Sequence, residues 1–461
     1  MGGLDHEVGA IEVGEALGEI DGAVLGRELG HLGEDGCAEG RQPIGDGPGV
    51  WISSAHRRLR SSRSGTIIVR ITGHVASTLS DVDLLARLVA FPSVSERSTR
   101  DIADFVCDYM ERPGVRIERF PSEDGERTNV LAMLGPEGAS AGEGLILCGH
   151  LDVVPATEPQ WSSDPFTLAR RDGDLIARGA CDMKGFNALA MNIAARLDPD
   201  SLTSPLAVLL TYDEEIGSLG AERFTKLWPK DRPLPRSALV GEPTSLRVVR
   251  MHKGHFKMRI TIHGRSSHSG YPHLGRSAIE PAGAVIRALA GLREEMERER
   301  PEHCDFFPQT PFVTLNIGTI NGGAAFNIIP DRCVMHLGLR PLPGMSAAAI
   351  ADRVRERAIE AAGESECEVE FFNDNPAMLL AEDAPTHRTM CELAGQRESH
   401  AVNYASDGGH LSRMGLECVL FGPGSIEDAH KPNERLAERE FEAARPLLER
   451  IVGRYCLRAN A

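Results

Sequence analysis

A chain of 461 residues exceeds what one hydrophobic core usually fills, so two domains are expected. A net charge of -17 repels nucleic acid and anionic membrane surfaces, and no apolar run of about 18 residues is present to span a bilayer. Ten cysteines, scattered from Cys37 to Cys456 without a CxxC pair, read as reduced thiols of a cytoplasmic protein.

The N-terminal stretch differs from the rest. Residues 1–50 hold 11 acidic side chains, two basic ones and 14 glycines, and residues 51–70 carry Arg57, Arg58, Arg60, Arg63 and Arg70 with no acid. Neither part has enough periodic apolar surface to offset chain entropy, so residues 1–76 are expected to be a disordered extension. A transit peptide would be poor in acids throughout, and an over-long gene start explains the stretch better than a regulatory tail does. From there the pattern becomes regular. Leu79, Val82, Leu85 and Leu88 line one stripe of a helix over 78–90, with Ser80-Asp81 placed to cap it. Short apolar runs at 128–134, 145–149, 206–212 and 237–241 suit buried strands of an α/β sheet, with helices at 184–197 and 218–227.

After residue 250 the order becomes strand 254–263, helix 276–298, strands 312–319 and 326–340, helix 345–361 and strand 366–372. This β-α-β-β-α-β series describes one antiparallel sheet with two helices. The expected division is therefore an α/β catalytic domain from 77–250 and 373–461, with an α+β, ferredoxin-like insert at 251–372.

The chemistry gathers at strand ends, where open α/β sheets present ligand groups. Gly149-His150-Leu151-Asp152 ends the second of these runs: His150 is suited to a metal, and Asp152 to accept its other N–H and fix the tautomer. Asp182, in Gly179-Ala180-Cys181-Asp182-Met183-Lys184-Gly185, stands before a helix, where a cap is the ordinary role. Asp213-Glu214-Glu215 follows a buried strand; three adjacent acids repel one another unless a cation lies among them, or unless all are solvated. Glu242 ends the next strand, and His430 follows the Gly422-Pro423-Gly424-Ser425 turn. No GxGxxG or Walker pattern assigns that turn to a cofactor phosphate. Taken together, His, Asp, Glu, Glu and His form an oxygen-and-nitrogen set suited to two zinc ions, and Glu214 is left over as a base.

These residues lie in GHLDVVP, WSSDPF (Trp161 to Phe166), ARGACDMKG, DEEIGS, GEPT, GRSSHSGYP, GGAAFNIIP and GPGSIEDAHKPNE. From about residue 78 onward the chain closely resembles the metallohydrolase family of acetylornithine deacetylase, succinyl-diaminopimelate desuccinylase, aminoacylase and glutamate carboxypeptidase. The resemblance implies a zinc-peptidase-like catalytic domain with an inserted lid and dimerisation domain. It implies two zinc ions per subunit, with cobalt as a substitute, bridged by Asp182. His150 and Glu242 would hold one ion, Glu215 and His430 the other, with Glu214 as general base and a cis peptide after Asp182. His268 would reach the partner subunit's active site and polarise the substrate carbonyl. Asn327 and Arg340 would hold the substrate carboxylate, for which a planar guanidinium is well shaped. The turn at Gly422, Gly424 and Ser425 would offer it backbone N–H groups. Where relatives read KPDE, this chain has Lys431-Pro432-Asn433-Glu434. The implied partners are a small N-acyl amino acid and a second copy of the chain. The motifs look most like the acetylornithine deacetylase branch, which cleaves N2-acetyl-L-ornithine to L-ornithine and acetate in arginine biosynthesis. A desuccinylase, a dipeptidase and a non-catalytic binding protein of the same fold remain alternatives.

Overall fold

The computed structural model describes residues 67–68, 78–136 and 142–457. The disorder expected of residues 1–76 lies outside these residues, except at Ile67–Ile68, which pair antiparallel with the strand Val115–Pro121. The centre is a ten-stranded mixed sheet. Four adjacent strands run parallel through its middle, in the order Leu206–Thr211, Gly142–His150, Pro235–Val240 and Glu417–Leu420.

These four strands are apolar on both faces because helices cover both faces. Leu145, Leu147, Leu206, Val208 and Leu239 pack towards Leu84, Val106, Met191 and Leu448 of four helices. The alternate residues Ile146, Cys148, Ala207, Leu209 and Ala238 pack towards Phe224, Trp228 and Leu411 on the opposite side. The period-2 alternation of side chains thus feeds two cores from one sheet. Ser80 caps the helix Asp81–Val89 by accepting from the Asp83 N–H, as its position in the sequence indicates.

The chain leaves the large sheet after Val249–His252 and enters a four-stranded antiparallel sheet at His255–His263. That sheet has the order Thr314–Gly322, Arg332–Arg340, His255–His263, Glu366–Asn375. Its inner face, with Phe256, Met258, Ile260 and Ile262, is packed against the helices Ile279–Arg298 and Ala347–Ala362. A two-stranded ribbon, Ser267–His268 with Ile328–Ile329, projects from the same region. The chain rejoins the large sheet at Met378–Leu379. The nine described cysteines are all free, and no described helix is long and apolar enough to cross a membrane.

Candidate active site

All four parallel strands deliver chemistry at their C-terminal ends. Gly142–His150 ends on His150, and Leu206–Thr211 runs into Asp213, Glu214 and Glu215. Pro235–Val240 is followed by Gly241-Glu242, and Glu417–Leu420 leads through the Gly422–Ser425 turn to His430. Asp182 arrives just ahead of the helix Gly185–Arg196 on a cis Asp182–Met183 peptide. That helix approaches closely because Gly149 has no side chain: a Cβ there would lie 2.0 Å from Asn187 Oδ1. Asn187 donates instead to the His150 carbonyl at 2.6 Å. Asp213 and His430 both adopt a positive φ, a backbone conformation that non-glycine residues seldom take outside specialised sites.

Asp182 makes no capping bond to the helix after it. One carboxylate oxygen lies 3.0 Å from His150 Nε2 and the other 3.2 Å from His430 Nε2. His430 Nε2 also lies 2.8 Å from Glu215 Oε2. One aspartate therefore spans two histidines, one oxygen to each. Ligand atoms of His150, Asp182 and Glu215 fall within 4.8 Å of one another, as do those of His150, Glu214 and Glu242. His430 stands at the rim, its side chain 46% exposed, while His150 is buried.

The expectation for Asp152 is corrected. His150 Nδ1 meets the backbone carbonyl of Asp152 at 2.9 Å, while the Asp152 carboxylate is 3.7 Å away. A carbonyl only accepts, so it still assigns the proton to Nδ1 and leaves Nε2 as the ligand atom. The carboxylate is occupied elsewhere: it accepts from the N–H groups of Glu214 at 3.0 Å and Glu215 at 3.3 Å, and from Ser95 Oγ at 2.8 Å. Asp152 therefore shapes the loop that carries the two glutamates.

Charge accumulates here beyond what hydrogen bonds offset. Burial, and then Glu242, pushes the Glu214 carboxyl well above its usual range; burial and Asp182 do the same to Glu242. Burial and Asp182 raise Glu215 to about 7. Burial opposes the imidazolium of His430, but the bonds to Asp182 and Glu215 outweigh it and raise this histidine to about 11. The buried Glu242 Oε1 has no hydrogen-bond partner among the described residues. Such a basin attracts positive charge, as protons or as bound cations, and its imidazole and carboxylate donors fit zinc.

A cavity of about 240 Å3 opens over Asp182, Glu214, Glu215, Glu242 and His430, with His255, Arg340, Asn375 and Tyr404 on its walls. Arg340 is thus brought to the site from the small sheet. His268 and Asn327 are not: both are exposed on the ribbon and neither lines this cavity. The turn also departs from expectation. Gly422 donates its N–H to Thr244 Oγ1 at 3.2 Å and Gly424 to Glu440 Oε1 at 2.9 Å, so both are committed within the fold, and Ser425 is not on the cavity wall.

Several residues escaped sequence reasoning. Glu434 accepts from the N–H groups of Cys181 and Asp182 at 3.0 Å each and pairs with the buried Arg178 at 2.8 Å, holding the Asp182 segment in place. Its place in the His430 motif was the available signal. Asp407 takes a 2.5 Å bond from Thr211 Oγ1, and no local pattern marks it. Asn433 accepts from Ser162 N–H and Oγ and donates to the Gln160 carbonyl, joining the WSSDPF segment to the His430 loop. An aspartate could not make the last of these bonds.

Residues 146–454 match the model of "Peptidase family M20/M25/M40". The chain is 35% identical over 393 residues to an acetylornithine deacetylase of Proteus mirabilis (strain HI4320), covering 82% of this chain and 98% of that one. It is 33% identical over 387 residues to an acetylornithine deacetylase of Pasteurella multocida (strain Pm70), with the same coverage. In fold it is similar to the YXEP protein of Bacillus subtilis, described as a dinuclear metal binding peptidase from the M20 family. That likeness has a TM-score of 0.56 and 16% identity, over 81% of this chain and 96% of the other. The family match covers the whole basin from His150 to His430, and the chain belongs to peptidase family M20/M25/M40, as a hydrolase of that family.

Proposed function

We propose that the protein is a dinuclear-zinc amidohydrolase that deacylates an N-acyl amino acid, with N2-acetyl-L-ornithine as substrate and L-ornithine and acetate as products. The observation that carries the reading is the Asp182 carboxylate, which meets His150 with one oxygen and His430 with the other. Acetylornithine deacetylases at 33% and 35% identity over nearly their full length support the choice of substrate. His150, Asp182 and Glu242 would hold one ion, and Asp182, Glu215 and His430 the other. Zinc at such a site supplies Lewis acidity and lowers the pKa of water.

The protein groups account for the remaining steps. Glu214 lies in the basin and forms no hydrogen bond to His150 or His430; it takes a proton from the attacking water and returns it to the departing amine as the C–N bond breaks. One water is consumed, and one carboxylic acid and one amine are released. Arg340, on the cavity wall, pairs with the substrate carboxylate. His268 is exposed on the ribbon, away from its own cavity, which fits a role at the partner subunit's site, where its N–H would stabilise the developing oxyanion. Residues 251–372 then serve as lid and dimerisation domain of a cytoplasmic homodimer.

The test is hydrolysis by the purified, zinc-loaded protein of N2-acetyl-L-ornithine, N-succinyl-diaminopimelate and a dipeptide panel, with metal content measured alongside. Acetylornithine should have the highest kcat/KM. A preference of tenfold or more for another amide would move the protein to a different branch, and fewer than two ions per chain would overturn the dinuclear reading.

A further inference from the structure

The loop 213–218 carries Glu214 and Glu215, and its two halves are held by different parts of the molecule. The first half belongs to the large sheet. Asp213 accepts from the Glu96 N–H and from Arg127 Nη1, each at 2.9 Å, and the next two N–H groups are taken by Asp152. The second half, besides its own turn bonds from the Gly217 and Ser218 N–H groups to the Glu214 carbonyl, is held by the small sheet. The Ile216 carbonyl accepts from Lys257 Nζ at 2.5 Å, the Gly217 carbonyl from Asn373 Nδ2 at 3.1 Å, and Ser218 Oγ from Asn375 Nδ2 at 2.7 Å. Three consecutive residues thus receive one bond each from the same sheet.

The local structure is built for this contact. The pairing of His255–His263 with Glu366–Asn375 slips between Phe256 and Met258, leaving a bulge that contains Asn373 at a φ of 73°. Bulges of this kind re-aim a side chain. On the loop, Gly217 has a φ of 121°, and a Cβ there would stand 2.3 Å from Asn373 Oδ1, so only glycine admits the approach.

The last of the three bonds leads to the base. Ser218 and Asn375 are both buried. A serine hydroxyl has one hydrogen to give, and Asn375 fills one of its acceptor positions. The hydroxyl lies 3.3 Å from Glu214 Oε1, and the Asp407 carboxylate is a second acceptor facing it, so the Asn375 bond helps decide which of the two carboxylates receives its hydrogen. We propose that Ser218 and Asn375 are positioning residues for Glu214, through which the placement of the small sheet sets the orientation of the base. The inference rests on the reading of Glu214 as the base.

The test is a mutant cycle on the full-length, zinc-loaded enzyme, using whichever amide it cleaves fastest. Ser218→Ala deletes one oxygen and keeps the backbone; Asn375→Ala removes the contact from the small sheet. Each should lower kcat by about tenfold, the scale of a slightly misplaced catalytic group, with KM and zinc content within about twofold of wild type. The double variant should be no worse than the poorer single one, since both act through one bond path. In a Glu214→Ala background neither should lower the residual rate further. Additive losses in that background, a rise in KM at unchanged kcat, or loss of zinc would each overturn the proposal. An unaltered kcat in Glu214→Ala alone would instead overturn the base assignment. Ser218→Ala carries the test by itself if Asn375→Ala does not fold, because an unchanged kcat in it is sufficient to reject the proposal.

Discussion

The acidic basin and the His268 ribbon place polar residues in opposite surroundings. In the basin, Asp182, Glu214, Glu215 and Glu242 crowd together behind two histidines, and burial drives the three glutamates towards their protonated forms. On the ribbon, His268 and Asn327 stand in the open beside Tyr271, Leu274 and Phe326, which are 58%, 54% and 100% exposed. The basin is short of positive charge, and the ribbon is short of a surface to cover it. On the proposed function a cation would complete the first and a second copy of the chain the second, so the two regions should fail in different ways when perturbed.

The largest effect is expected at the base. Glu214→Gln keeps the shape of the side chain but cannot accept a proton, so kcat should fall by at least ~10²-fold with zinc content near wild type. Atomic absorption on the purified variant separates this from the opposite assignment. Distance alone also admits Glu214 as a ligand beside His150 and Glu242, and loss of zinc would mean that it acts as one.

Metal removal comes next. Stripping the ions leaves the basin's acids to repel one another, so the chelated protein should unfold at a lower temperature than the zinc-loaded one. Free zinc at 100 times its Kd should restore about 2.7 kcal/mol for each site that binds only the folded chain. A Tm indifferent to chelation would show that protons alone satisfy the carboxylates.

Much of the basin was legible because His150, Glu215 and Glu242 each follow a buried apolar run, and strand ends in a parallel sheet converge by topology. His150, Glu215, Glu242 and His430 are far apart in sequence but neighbours for that reason. The helix Arg100–Met110 and the strand Val115–Pro121 were missed: the strand is half-buried, charged and on the sheet's flank, so its pattern is weak. The Asp152 error has a different cause. In a two-residue turn the backbone carbonyl and the carboxylate compete for the same imidazole, and sequence spacing does not choose between them. Asn373 and Asn375 carry no local signal, because their partners are more than 150 residues away.

Histidines extend the comparison. His430 is held charged by its carboxylate neighbours, whereas the fully buried His252, beyond them, is lowered from 6.5 to about 4 by burial and then by the charge of Arg340. Between about pH 4 and 6.5 the unfolded chain therefore binds a proton at His252 that the folded chain does not. Stability from this residue is present above 6.5 and lost as pH falls towards 4. His252→Asn keeps a donor for the Lys253 carbonyl and does not titrate. Between pH 7 and pH 5, urea unfolding should show a loss about 2 kcal/mol smaller in the variant than in the wild type. Equal losses would mean that water reaches the ring.

The smallest signal, a partial recovery of activity on mixing two variants, probes the ribbon. If His268 serves the partner subunit, His268→Ala and Glu214→Gln homodimers should each be nearly inactive, for different reasons. A hybrid of the two contains one site with an intact Glu214 served by an intact His268 of the other chain, and one site lacking both. Random exchange of equal amounts makes about half the dimers hybrid, and each has one working site in two. Roughly a quarter of wild-type activity should therefore return on mixing, given two-fold symmetry and independent sites. Exchange is checked separately by mass spectrometry of tagged chains. No recovery after verified exchange would mean that His268 acts within its own chain or has no part in the reaction, and the exposed apolar residues around it would then need another explanation.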